Sequence, residues 1–179
     1  MRLGKELGKV VVCGVGLIGG SFALALKAAG VATEVVGMGR TQATLAEALE
    51  RGVIDSVASD WADALAGADL VFLAVPVGQI APVLTAIAPH LSSKTIITDG
   101  GSTKADVVTA ARAALGARCA QFVPGHPIAG AEKSGVAAAR ADLFHQKRVV
   151  LTPLAENTEA HITLVERLWQ ACGAEVSRL

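Results

Sequence analysis

Tyrosine is absent from this 179-residue sequence, and four Phe and two Trp are its only aromatics. They are too few to form the aromatic platform on which single-stranded nucleic acid stacks. An excess of charge is also missing: 16 Lys+Arg balance 16 Asp+Glu. No Lys/Arg-rich block interrupts that balance. Nucleic acids and anionic membranes are bound through basic patches, so both are excluded as partners and small molecules are expected. Cysteine is scarce. Cys13, Cys119 and Cys172 match neither a zinc knuckle nor a CxxC pair, which predicts reduced thiols, a cytoplasmic setting and no metal.

An unbroken apolar span is missing as well. Residues 10–26, preceded by Arg2, Lys5 and Lys9 and containing Ala23-Leu24-Ala25, mimic a signal peptide. Glu6 falls in the would-be basic region, and Gly14, Gly16, Gly19 and Gly20 break the apolar run. Residues 70–93 are long enough to cross a bilayer but carry Pro76, Gly78, Gln79, Pro82, Pro89 and His90, which fits a strand, a turn and a helix. With 52% hydrophobic and 18% charged residues the chain folds. One domain is expected, and a chain of this size buries about 70% of its unfolded surface.

Short β-branched runs alternate with Gly-containing turns and Ala/Leu-rich stretches from end to end. That rhythm predicts an α/β fold: a doubly wound, mostly parallel sheet with flanking helices, Rossmann-like. Strands are expected at residues 9–13, 34–38, 69–75, 95–98, 120–123 and 148–152, and a last one begins at Val176. Helices are expected at 17–29, 41–51, 79–91, 103–115 and 158–171, with Gly30 and Gly52 as stops and Thr41 as an N-cap. Residues 126–146, rich in small residues, read as a functional loop with a short helix.

Gly14-x-Gly16-x-x-Gly19 follows the first strand and opens the first helix. In a βαβ unit the first glycine permits a tight turn, the second admits a pyrophosphate and the third lets helix pack on strand, while the helix N-terminus attracts the anion. No Gly-Lys-Ser/Thr follows, which excludes a Walker loop. The acid that holds the ribose 2′-hydroxyl of NAD is expected at the end of the second strand. The chain reads Val36-Gly37-Met38-Gly39-Arg40-Thr41 instead. Gly39 removes the charge that repels a 2′-phosphate, and Arg40 supplies a cationic fork with the Thr41 hydroxyl beside it. NADP is therefore the expected cofactor, with NAD as the alternative.

Asp99-Gly100-Gly101-Ser102-Thr103-Lys104 falls at the carboxyl end of a strand, where open α/β sheets place ligands. A capping box of Thr103 with Asp106 leaves Ser102 free to face one. Gly125-His126-Pro127 also follows a strand, and proline holds the preceding histidine in extended geometry.

The sequence resembles the prephenate and arogenate dehydrogenase family of tyrosine biosynthesis. The resemblance rests on the stretch 14–21, on Ala68-Asp69-Leu70-Val71-Phe72-Leu73-Ala74-Val75-Pro76, on Asp99 to Lys104 and on His126-Pro127-Ile128-Ala129-Gly130-Ala131-Glu132-Lys133-Ser134-Gly135. It extends over essentially the whole chain. It implies hydride transfer from the ring carbon bearing the hydroxyl of prephenate or arogenate to a nicotinamide cofactor, with loss of carbon dioxide. His126 then matches the catalytic histidine that draws off the hydroxyl proton, Ser102 the serine that assists it, and Glu132 an acid near the substrate mouth. Gly14, Gly16, Leu17, Ile18, Gly19, Gly39, Arg40, Thr41, Val75 and Pro76 are the cofactor-binding positions. Thr103 stands where a small aliphatic residue is often seen, and Ala131 where a hydroxyl residue is common.

Family members also carry a C-terminal helical domain that forms a homodimer and supplies a substrate-gripping arginine. Residues 1–179 correspond to the dinucleotide-binding domain, and the helical one is absent from this chain, so poor turnover by the chain alone is expected. Two alternatives stand beside this expectation. Another two-domain dehydrogenase, for a hydroxyacid or an imine, calls for Lys or Asp in place of His126. A non-catalytic NAD(P) sensor calls for the glycines but not for Ser102 and His126.

Overall fold

The structure, a computed structural model, describes residues 7–179. Arg2, Lys5 and Glu6, which bear on the likeness to a signal peptide, lie outside them. The first two-thirds of the chain is β1 (Leu7–Cys13), α1 (Leu17–Ala29), β2 (Ala32–Met38), α2 (Gln42–Glu50), β3 (Ser56–Val57), α3 (Trp61–Leu65), β4 (Ala68–Leu73), α4 (Val77–Ile87), β5 (Ile96–Asp99), α5 (Lys104–Leu115) and β6 (Phe122–Val123). Its strands form one parallel sheet ordered β3-β2-β1-β4-β5-β6. The order reverses direction at β1, which is the switch point of a doubly wound fold.

Side-chain alternation makes the two helical layers possible. In β1, Val10 and Val12 enter one core while Val11 and Cys13 enter the other; in β4, Leu70 and Phe72 divide from Val71 and Leu73 in the same way. Both faces of these strands are apolar because both are covered. The core on the α1 side is built round an aromatic stack, with Phe22 lying 4.2 Å from Phe72 and 4.8 Å from Trp169, and Phe144 5.1 Å from Trp169. Trp169 belongs to α6 (Glu159–Ala171), whose start is capped by the Thr158 hydroxyl accepting from the His161 N–H.

Three features depart from the sequence expectation. The expected functional loop begins instead as β7 (Gly125–Ile128), which runs antiparallel to β8 (Arg148–Leu151); β9 (Glu175–Arg178) lies parallel to β8, completing a second sheet. Proline masks a strand in sequence, but β7 is an edge strand, where a missing N–H costs least. The short helix α3 went unrecognised because five residues show no usable period. Finally, Thr103 and Thr41 occupy N-cap positions, but neither side chain caps its helix, so the capping box with Asp106 does not form.

Candidate active site

The carboxyl ends of four neighbouring strands are level. Cys13 of β1 lies opposite both Met38 of β2 and Leu73 of β4, and Leu73 lies opposite Asp99 of β5. Four turns therefore leave the sheet along one edge: Gly39-Arg40, Gly14 to Gly16, Ala74 to Pro76, and Gly100 to Ser102. They are tied at their bases, since Gly14 N–H donates to Met38 O (2.8 Å), Ala74 N–H to Cys13 O (2.8 Å) and Gly100 N–H to Leu73 O (3.0 Å).

The three glycines of the first turn do three different things. Gly14 has φ +88°, and a Cβ there would come within 2.6 Å of the Ala74 carbonyl oxygen. At Gly19 a Cβ would sit 2.0 Å from the Gly14 carbonyl oxygen, so that glycine is what lets α1 seat on the sheet. A Cβ on Gly16 would meet nothing within 4 Å. Gly16 is also the N-cap of α1, with no side chain capping the helix. The free N–H groups of the first turn, with Leu17 and Ile18 at its start, thus face open space beside a bare backbone, a cradle for a pyrophosphate.

That space is a cleft of about 500 Å³ whose walls include Gly14, Gly16, Gly39, Arg40, Thr41, Val75 and Pro76. Leu17, Ile18 and Gly19 do not line it. Gly39 is not required by packing, because a Cβ there would make only ordinary contact with Leu45, at 3.6 Å. The missing acid is therefore a matter of chemistry and not of room. Arg40 is exposed and points no charge-assisted bond at another described residue.

Ser102, His126 and Glu132 do not line the cleft; Ser102 and Glu132 are exposed and His126 is half-buried. A single carboxylate nonetheless links two of them. Asp99, fully buried at the end of β5, accepts the Gly101 N–H on Oδ2 (2.9 Å) and the Gly125 N–H on Oδ1 (3.0 Å). Ser102 and His126 are the residues that follow those two glycines. Lys104 closes the arrangement, with Nζ paired to Asp99 Oδ2 and donating to Gly125 O at 2.7 Å. Burial pushes the Asp99 carboxyl above its ordinary value, while the charge and hydrogen bond of Lys104 and the Gly125 and Gly101 N–H groups pull it back. Burial likewise pulls the Lys104 ammonium down, against the attraction of Asp99. Three hydrogen bonds to the carboxylate favour its charged form, so the two stand as an ion pair. No such tether reaches Glu132.

Sequence reasoning quoted Asp99 and Lys104 in a motif without giving them a role. An acid ending an apolar strand, with a lysine five residues on, was the available signal. It also missed Thr44, Trp61, Gln79, Val83 and Gly135 on the cleft wall. Among the described residues no group of His, Cys, Asp and Glu could hold a metal, and burial raises the thiol of Cys13 to about 12, which makes it unreactive.

A doubly wound sheet that carries a bare-backboned glycine turn beneath an uncapped helix start defines a dinucleotide-binding domain of the Rossmann class. The chain belongs to the family described as "Prephenate dehydrogenase, nucleotide-binding domain", which matches residues 22–178. Prephenate dehydrogenase of Bacillus subtilis (strain 168) is 37% identical over 166 residues, which is 92% of this chain and 44% of that protein. Two solved structures superimpose closely. Prephenate dehydrogenase from Aquifex aeolicus in complex with hydroxyphenyl propionate and NAD+ has TM-score 0.89 and 33% identity, over 97% of this chain and 60% of that one. Synechocystis arogenate dehydrogenase has TM-score 0.86 and 31% identity, over 96% of this chain and 59% of that one. The chain thus spans 44% to 60% of the length of these relatives.

Proposed function

We propose that these 179 residues are the nucleotide-binding half of an NAD(P)-dependent dehydrogenase that oxidatively decarboxylates prephenate, arogenate or both, in tyrosine biosynthesis. The observation that carries the reading is the Asp99 carboxylate, which anchors the backbone beside both Ser102 and His126 at the end of the strand next to the cleft. The glycine turn and the helix start hold the pyrophosphate. A nicotinamide ring carried there would supply the hydride acceptor for the substrate carbon that bears the ring hydroxyl. His126 accepts the hydroxyl proton as the hydride departs, Ser102 hydrogen-bonds the same oxygen, and the ring carboxylate leaves as carbon dioxide with its bonding pair completing the aromatic ring. Glu132, exposed on the segment after β7, sits at the substrate mouth.

NADP is the preferred dinucleotide in this reading, because Gly39 presents no acid and Arg40 is unengaged. The substrate's second carboxylate is gripped from outside these residues, by the helical domain through which such enzymes form a homodimer. Calorimetric titration with NADP+ and NAD+, followed by an absorbance assay for reduced nicotinamide with prephenate and with arogenate, tests the proposal. Failure to bind either dinucleotide refutes it. Binding accompanied by turnover of some other hydroxyacid alone would assign the domain to a different dehydrogenase.

A further inference from the structure

Five of the six aromatic side chains, Phe22, Phe72, Phe122, Phe144 and Trp169, are fully buried at 0% exposure. Trp61 is the exception. It is half-buried, packs partly against the core beneath α4, and lines the cleft with its remaining surface. Tryptophan is a costly residue to leave partly open to water unless something covers it.

We propose that Trp61 is the surface on which the adenine ring of the dinucleotide stacks, an inference that rests on the nucleotide-binding reading above. The direction in which a dinucleotide lies follows from the four turns. Its pyrophosphate belongs at Gly14 to Gly16, and its catalytic end faces β5, where Asp99 gathers the Ser102 and His126 segments. The adenosine must then extend the other way, past the end of β2 towards Arg40 and Thr41. The cleft wall on that side is Leu45 of α2, Val83 of α4 and Trp61. Every base has a π-face, so an indole set among aliphatic groups is suited to the ring and not to the phosphates or the riboses.

The indole is also held in place. Asp60 caps α3 by accepting the Asp63 N–H (2.8 Å), and the Asp63 carboxylate accepts the Ser59 N–H (2.9 Å) in return. Lys9 Nζ donates to the carbonyls of Asp63 (2.9 Å) and Ala66 (3.0 Å), which fixes the far end of the helix. A platform ordered before binding loses little entropy when the base arrives.

Because Trp61 and Trp169 are the chain's two tryptophans and Trp169 is enclosed, intrinsic fluorescence isolates the contact. The probes are 2′,5′-ADP, which carries the adenine half alone, and nicotinamide mononucleotide, which lacks it. Saturable quenching by 2′,5′-ADP is expected in the wild type and not in Trp61→Phe, whose remaining emission reports Trp169. By calorimetry, Trp61→Ala should weaken 2′,5′-ADP by roughly fivefold to a hundredfold, while Trp61→Phe keeps most of the affinity because it keeps a ring face. Affinity for nicotinamide mononucleotide should not change. Unchanged 2′,5′-ADP affinity in Trp61→Ala, or quenching that persists in Trp61→Phe, overturns the proposal. If the wild type binds neither NADP+ nor NAD+, the nucleotide-binding reading fails and takes this one with it.

Discussion

Replacing Lys104 by methionine would remove the only cation paired, among the described residues, with the fully buried Asp99 carboxylate, while leaving a side chain of similar length to fill the space. Asp99 would keep the Gly101 and Gly125 N–H groups but lose its counter-charge, and Gly125 O would lose a donor. Stripping one partner from a buried pair costs about 3–5 kcal/mol. The Lys104 side chain keeps 17% of its exposure, which places the loss near the lower end, at about 3 kcal/mol. For a chain of this size that corresponds to a fall of roughly 6–12 °C in melting temperature.

The pH dependence has a definite sign. Burial already raises the Asp99 carboxyl, and removing the lysine raises it further. A carboxyl raised in the folded state contributes stability while it is protonated and loses that contribution as the pH rises from the unfolded value of about 3.9 through the folded one. The deficit of the variant should therefore be greatest near neutrality and shrink on acidification to about pH 5. Adding Asp99→Asn should recover part of it, since an amide oxygen still accepts an N–H but carries no charge. Urea denaturation at both pH values, with thermal melts, measures all three proteins. A loss below about 1 kcal/mol near neutrality, or a deficit that grows towards acid, would refute the reasoning.

Gly14→Ala and Gly16→Ala should separate stability from binding. The first forces a Cβ into a carbonyl at positive φ and should cost about 1–3 kcal/mol in denaturation, whereas the second enters open space and should leave stability within about 0.5 kcal/mol while weakening dinucleotide binding at least tenfold. Arg40→Ala should weaken NADP+ by roughly tenfold to a hundredfold and leave NAD+ unchanged in calorimetry, the value of one charge-assisted pair; equal losses for both would remove Arg40 from the 2′-phosphate. In a preparation completed by the helical domain, His126→Asn should lower turnover of prephenate or arogenate by about 10²–10⁴ with dinucleotide affinity intact, and retained turnover would move the proton to another group.

Much of the parallel sheet was legible because its cues are local. Val10 to Cys13 and Leu70 to Leu73 are apolar without alternation, as strands covered on both faces must be. The helix at Leu17–Ala29 was framed by Gly16 and Gly30, the latter adopting φ +70° at the C-cap. The ligand-facing positions of the glycine turn were equally readable, since steric demands at Gly14 and Gly19 act over a few residues. Less was legible at the margins: α3 is too short for periodicity, and Pro127 concealed β7.

The doubly wound order of elements, the phosphate-binding turn and the absence of an acid after the second strand are local properties of the chain, because backbone sterics and burial period are written into neighbouring residues. That Asp99 holds the segments of Ser102 and His126 together, and that Trp61 borders the cleft, emerges only from the folded chain. The Asp99 to Gly125 bond joins residues 26 apart. Trp61 meets the walls from α2 and α4 only once β3 and β4 have been placed on opposite sides of β1. Such contacts depend on how the whole chain closes on itself, and no short window of sequence carries that information.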